Sequence, residues 1–351
     1  LSDTFIAPGR VFSMNVDEGP ILVTGGLGFI GSEFVRRQLA HGAKVVNVDL
    51  NTYAADPRRL QSHDRLETLT VDVVSPELER VVEQIRPPLV VHFAAESHVT
   101  RGEKAANEFF RTNVEGTRRI LQAARAAGVG RFVHVSTDEV YGPCSGPPFG
   151  EADKAPGSGN ATSAYARSKA LADDLALSYA SDVPVVVVRP TNCFGPWQHP
   201  EKAVARWTTR ALRGLDLPVW GDGRHVRDWM FLEDACAGIE TVIESGAVGV
   251  AYNVGPEGSQ VTNLEMARAI ARAAGIEPEG VYLTEYDRPQ HDRRYAVDSS
   301  NLRSLGWRPH VLLEDAIAHT VSWYARNRQW WSPLVGEAES IYSDAPRSTA
   351  R

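Results

Sequence analysis

Apolar positions fall in short, nearly unbroken runs along the first half of the chain, separated by longer stretches of helical period. Ile21 to Thr24, Lys44 to Val48, Leu66 to Val71, Leu89 to Phe93, Arg131 to Val135 and Val183 to Val188 are rich in β-branched residues with few polar interruptions. Such runs predict strands buried on both faces. Between them lie helical patterns over Glu33 to His41, over about Ala105 to Ala127, and over the stretch carrying Tyr165 and Lys169. Strands and helices alternating at this length predict an α/β fold, a doubly wound parallel sheet of Rossmann type, with ligands at the carboxyl ends of the strands.

After Pro190 the alternation fades. Pro and Gly become frequent, and Trp197, Trp207, Trp220 and Trp229 appear singly. Short helices such as Asn263 to Ala274 are interleaved with isolated strands. Four parts are expected: an N-terminal extension over 1–19, a dinucleotide-binding domain over 20–190, a smaller C-terminal substrate domain over 191–333 with parts of 225–255 returning to the sheet, and a polar flexible tail over 334–351. Leu1 to Glu18 lacks a charged-then-apolar signal pattern, and Met14 is a candidate start.

The first strand runs into Gly25-Gly26-Leu27-Gly28-Phe29-Ile30-Gly31 and then a helix. Glycines at 25, 28 and 31 let the backbone turn tightly and approach a pyrophosphate seated on the helix N-terminus. A glycine turn alone is weak, but a second strand ending in Asp49 strengthens it. A carboxylate there binds the adenosine ribose hydroxyls and repels a 2′-phosphate, which favours NAD over NADP. Small residues after the fourth strand, Ala94-Ala95, permit close approach of the cofactor.

The fifth strand delivers Ser136-Thr137-Asp138-Glu139-Val140-Tyr141-Gly142, and the next helix carries Tyr165 and Lys169 four apart, so a phenol and an ammonium share one face. An acid, a base and a tunable phenol are thus gathered in one βα unit. Each element alone has a plainer reading: a solvated acidic pair, an amphipathic surface, a loop cap at Asp49. Their order and spacing carry the case.

Composition mainly excludes. Over 351 residues, 43% hydrophobic and 23% charged is ordinary globular usage. A net charge of −7 with no long basic run argues against a nucleic-acid or anionic-membrane partner. No apolar run nears the roughly 18 residues of a membrane span. Cys144, Cys193 and Cys236 lack metal spacing and fit a reducing cytoplasm, and no metal is assigned.

Several segments together resemble the dTDP-glucose 4,6-dehydratases, a family of extended short-chain dehydrogenase/reductases, over about residues 20 to 332. They are Thr24 to Gly31, His92 to Val99, Ser136 to Gly142, Pro200-Glu201-Lys202, Val226-Arg227-Asp228-Trp229, and Asp287-Arg288-Pro289 with His291 to Tyr295. The resemblance implies bound NAD, transient oxidation at C4 of an NDP-hexose, loss of water across C5 and C6, and hydride return to C6. Tyr165 would take the 4-hydroxyl proton, its phenol lowered by Lys169 and the positive nicotinamide. Thr137 would hold the 4-oxygen, Glu139 would remove the C5 proton, and Asp138, kept protonated by its like-charged neighbour, would protonate the leaving hydroxyl.

For the cofactor, the resemblance implies Gly25, Gly28, Phe29, Ile30, Gly31, Asp49, Asp72, Val73, Ala94, Tyr165 and Lys169, with Asp72-Val73 near the adenine. For the nucleotide sugar it implies Ser97, Asn192, Glu201, Lys202, Arg227, Asn253, Arg288, His291 and Tyr295. It also implies a homodimer built on the helices at 105–127 and 165–180. The chain departs from the family at Thr100, Gly102 and Cys193, near the expected sugar pocket. The hexose and the base therefore stay open, as do a UDP-N-acetylglucosamine dehydratase and an NAD-dependent 4-epimerase.

Overall fold

The structure is a computed structural model that describes residues 19–97, 106–157, 159–256, 258, 260–287 and 291–340. Arg288, Thr100 and Gly102 lie outside the described residues, as do 1–18 and 341–351. In chain order the strands are β1 (Ile21–Thr24), β2 (Val45–Asp49), β3 (Leu66–Thr70), β4 (Leu89–His92), β5 (Arg131–Val135) and β6 (Val185–Pro190). These are followed by β7 (Asn192–Phe194), β8 (Leu217–Trp220), β9 (Val226–Phe231), β10 (Ala251–Val254), β11 (Gln260–Thr262) and β12 (Val281–Thr284).

Seven strands form one sheet in the order β10-β6-β5-β4-β1-β2-β3. All its pairings are parallel, with Leu22 of β1 set between Val46 and Val90. The predicted doubly wound α/β fold is thus the observed one. β1, β2, β4, β5, β6 and β10 are buried at every position, which is why their sequences are apolar without alternation. Successive residues still face opposite ways. Ile21 and Val23 enter one core with Phe34, Val35 and Ile239, while Leu22 enters the other with Val82, Ile120 and Leu121. Burying each such side chain contributes about 1.5–3 kcal/mol.

The chain winds outward through β1, β2 and β3, then crosses back to β4. The crevice for a ligand opens at the carboxyl ends of β1 and β4, where that direction reverses.

Beyond β6 the chain builds a second body. It holds the three-stranded sheet β11-β9-β7, the pair β12-β8, and a core of Phe194, Trp207, Trp229, Met266 and Ile317. β10 returns to the large sheet beside β6, whereas β9 does not.

Two departures from the sequence pattern are accompanied by contacts made across the fold. The helix entering Ala106–Phe109 loosens into a π segment, Phe110–Glu115, before resuming at Gly116–Ala127. Asn113 there is turned inward, donating to Ser168 Oγ at 2.9 Å and to the Glu96 carbonyl at 3.0 Å. The expected flexible tail instead begins as a helix, Val335–Ser340, whose Glu339 accepts from Arg206 at 3.1 Å and Arg210 at 2.8 Å.

Candidate active site

β5 ends at Val135, and Thr137 caps the short 3₁₀ turn Asp138–Tyr141 by accepting the Glu139 N–H at 3.3 Å. The Thr137 hydroxyl donates to Asp138 Oδ1 at 3.2 Å, while Asp138 Oδ2 has no hydrogen-bond partner among the described residues. Asp138 is only 2% exposed. Burial, then the charges of Glu139 and Asp228, push its carboxyl up to about 8, so it carries a proton at neutral pH. Burial is the larger cause and the adjacent acid the second. Asp228 on β9 is itself pushed up to about 6 by burial, and it accepts the Val297 N–H at 3.2 Å.

The helix Ala164–Ser178 starts at Ser163, whose hydroxyl accepts the Ala166 N–H at 3.0 Å. Tyr165 and Lys169 are thereby presented one turn apart. Lys169 Nζ donates to the Val135 carbonyl at 2.7 Å, and burial lowers its ammonium to about 8. Burial and the Glu139 charge raise the Tyr165 phenol, with the Thr137 hydrogen bond opposing them. Lowering the phenol is expected of Lys169 together with the positive charge of an oxidised nicotinamide, acting against that burial.

The glycine turn fits a dinucleotide. Gly25 has φ +75°, and a Cβ there would sit 2.6 Å from the Ala94 nitrogen. A Cβ on Gly31 would run into the Gly25 carbonyl. The helix Phe29–Ala40 starts at Gly28 with no side-chain cap and no acid in its first turn, so its first amides point at an anion site. Asp49 accepts the N–H of Leu27 at 2.9 Å and of Asn51 at 2.9 Å. It braces the turn with two of the roughly four lone-pair positions a carboxylate offers. Asp72 pairs with Arg111 at 2.6 Å, and Val73 is buried beneath Gly116. Ala94 donates its N–H to Thr24 Oγ1 at 3.3 Å.

One cavity of about 440 Å³ unites these parts. Its walls include Gly25, Gly28, Phe29, Ile30 and Gly31, all five of Thr137, Asp138, Glu139, Tyr165 and Lys169, and Ser97, Asn192, Glu201, Lys202, Arg227, His291 and Tyr295. Asp49, Asp72, Val73 and Ala94 stand behind or beyond these walls. Arg227 is buried, donates to the Asp292 carbonyl at 2.9 Å, and lies over the Tyr295 ring at 4.5 Å. Cys193 also lines the cavity, its thiol pushed up to about 12 by burial.

One expected ligand residue is corrected. Asn253 is fully buried in β10 and donates to the carbonyls of Phe149 and Asp298, each at 3.0 Å, while its Oδ1 accepts from Tyr141 at 2.7 Å. It is a strut behind the site. Asn263, at the start of the helix Asn263–Ala273, lines the cavity in its place. Its Oδ1 is buried with no partner among the described residues. Sequence reasoning placed that helix but not the direction of its first residue. It also missed Gln198, His199, Trp220 and Arg59 on the walls. Gln198 and His199 sit directly before the Pro200-Glu201-Lys202 segment that was noticed, so adjacency was the available signal.

These features define an NAD-linked Rossmann enzyme of the short-chain dehydrogenase type, with a tyrosine, a lysine and a pair of acids on the walls of its cavity. The chain belongs to the NAD dependent epimerase/dehydratase family, whose model matches residues 21–255. Within it the similarity is to dTDP-glucose 4,6-dehydratases. That of Streptomyces griseus is 42% identical over 325 residues, 90% of this chain and 97% of that one. The structure of the dTDP-glucose 4,6-dehydratase DesIV from Streptomyces venezuelae, solved with NAD and TYD bound, is 41% identical with a TM-score of 0.82, covering 90% of this chain and 99% of that one. UDP-glucose 4-epimerase from Thermotoga maritima matches the fold equally well, TM-score 0.82 over 88% of this chain and 99% of that one, but at 28% identity. Backbone shape does not separate the two, and sequence identity is higher to the dehydratases.

Proposed function

We propose that this chain is a nucleotide-sugar 4,6-dehydratase, converting dTDP-glucose to its 4-keto-6-deoxy product with NAD as a recycled cofactor. What carries this function is Asp138, buried and protonated beside Glu139, in the same cavity as Tyr165, Lys169 and the glycine turn. A 4-epimerase would use Tyr165 and Lys169 but leave that costly neutral acid without a task.

Removing water from an unactivated hexose is slow because its C5 proton is barely acidic. Bound NAD supplies the hydride acceptor that makes C4 a ketone and afterwards the hydride that reduces C6. Tyr165 takes the 4-hydroxyl proton, and Thr137 hydrogen-bonds the same oxygen and fixes its position. With C4 a carbonyl, Glu139 removes the C5 proton and Asp138 gives its proton to the departing 6-hydroxyl; as hydride returns to C6, Glu139, having exchanged its proton with solvent, puts one back on C5. Their opposite duties follow from unequal burial: Asp138 is fully enclosed, while Glu139 is half-buried and faces the cavity.

NAD is held by Gly25, Gly28, Phe29, Ile30, Gly31, Asp49, Asp72, Val73 and Ala94, from the part spanning 20–190. Ser97 and residues of the part spanning 191–333 hold the nucleotide sugar: Asn192, Glu201, Lys202, Arg227, Arg288, His291 and Tyr295, with Asn263 in the role first given to Asn253. Arg227 supplies charge for the pyrophosphate, which a chain of net charge −7 must place locally. Two copies pair through the helices at 106–127 and 164–178, where Phe110 is left 38% exposed on the single chain. The enzyme works in the cytoplasm, consistent with three unpaired cysteines and with no helix, among the described residues, long and apolar enough to cross a membrane.

The test is to incubate the purified protein separately with dTDP-glucose, UDP-glucose and UDP-N-acetylglucosamine and weigh the products. Loss of one water, fastest from dTDP-glucose, is expected. Unchanged masses, or loss confined to UDP-N-acetylglucosamine, would contradict the assignment.

A further inference from the structure

The loop after β2 ends in the short 3₁₀ turn Pro57–Arg59, which Asp56 caps by accepting the Arg58 N–H at 2.9 Å. The turn carries Arg59 inward, 2% exposed, onto the wall of the cavity that also holds the glycine turn. There its guanidinium fastens three separate stretches of chain. Nη1 donates to the carbonyls of Leu27 and Ala54, each at 2.7 Å, and Nε donates to the Trp197 carbonyl at 3.1 Å. Trp197 is a bulky residue at φ +68°, a left-handed backbone that persists only where its surroundings hold it. Trp330 backs the guanidinium, its ring centroid 5.8 Å away.

The three acceptors are neutral carbonyls, so they orient the cation without balancing its charge. The acids nearby are engaged elsewhere. Asp56 pairs with Arg58 at 2.7 Å and accepts the Trp330 indole N–H at 2.7 Å, while Asp49 accepts the amides of Leu27 and Asn51. Burial lowers the Arg59 guanidinium to about 10, so it stays charged at neutral pH. A buried cation without an ion pair is costly until an anion joins it. Nη2 donates to nothing among the described residues, and it is the donor left for a ligand in the cavity. Leu27 directly precedes Gly28, where the helix Phe29–Ala40 begins, so this charge stands beside the uncapped amides of the glycine turn.

We propose that Arg59 is a further ligand of the dinucleotide, donating from Nη2 to an oxygen of its pyrophosphate. Two of its three anchors, Leu27 and Ala54, belong to the cofactor half of the cavity, whereas the cation given to the sugar diphosphate, Arg227, stands on β9. The inference deepens the NAD assignment and rests on it. Binding of NAD by the wild type tests that assignment, and the response to substitution of Arg59 tests the contact.

The full chain, freed of bound nucleotide on charcoal, is titrated in a calorimeter with NAD, ADP-ribose and dTDP, and adenosine is read as a competitor of ADP-ribose. Loss of a charged hydrogen bond in Arg59→Gln should weaken NAD and ADP-ribose by about 10- to 100-fold, with adenosine and dTDP unchanged. Arg59→Lys keeps the charge but not the fork, and should fall between wild type and Arg59→Gln. Where Arg59→Gln does not fold, Arg59→Lys carries the test through the same selective loss of ADP-ribose over adenosine. NAD held as tightly as by the wild type, adenosine weakened in equal measure, or a loss confined to dTDP would overturn the contact. A wild type that binds no NAD would contradict the cofactor assignment, and the contact with it.

Discussion

At the scale of single residues, the proposed chemistry rests on a carboxyl group kept neutral where its neighbour is asked to be charged. Asp138 is held at about 8 chiefly by burial, then by Glu139 and Asp228. It is competent as an acid only below that value, so kcat/KM should fall as pH rises through about 8. Asp228, pushed up to about 6, is charged over most of that range. Removing its charge lowers the Asp138 pKa, and Asp228→Asn should move the alkaline limb to lower pH. A limb that stays in place in a pH–rate profile of this variant would show that Asp228 has no hold on Asp138. The acid, base and phenol were legible in sequence because Thr137-Asp138-Glu139 and Tyr165/Lys169 are local motifs. Asp228 and Asn263 were not, because their approach to the site is made by β9 and by a helix start whose orientation no spacing encodes.

At the scale of elements, the glycine turn and the β5–turn–helix unit are rigid parts that leave little freedom at the cofactor. Gly25→Ala adds a Cβ against the Ala94 nitrogen at a positive φ. The variant should be purified with little bound NAD, read from its absorbance at 260 against 280 nm, and should melt several degrees lower. Full NAD occupancy would mean that the turn yields. β1, β2, β4, β5 and β6 could be read directly, since parallel strands buried on both faces are mostly apolar and β-branched, whereas β3 proved to be a largely exposed edge strand and β10 was not singled out. The π segment at Phe110–Glu115 has no such signature: it exists because Asn113 bonds to Glu96 and Ser168, contacts set by the tertiary fold. The helix Val335–Ser340 was likewise invisible, being stabilised by Arg206 and Arg210 pairing with Glu339 across the fold.

At the scale of the whole molecule, one cavity is walled by residues of both the large sheet and the second body, and the proposed reaction is assigned to it. The proposed pairing through the helices at 106–127 and 164–178 has one exposed large apolar side chain, Phe110, to cover. Light scattering should report twice the chain mass of 38.4 kDa, and Phe110→Arg should shift the species toward the single-chain mass. A wild type that runs as one chain at micromolar concentration would contradict that pairing.

The most direct measurement is to run the reaction on dTDP-glucose in deuterium oxide with wild type and Glu139→Gln. The wild type should give a product lighter by one water and carrying deuterium at C5, while Glu139→Gln should lose about 10²- to 10⁴-fold in turnover and in that label. A Glu139→Gln enzyme that forms the labelled product at the wild-type rate would contradict the assignment of the paired acids.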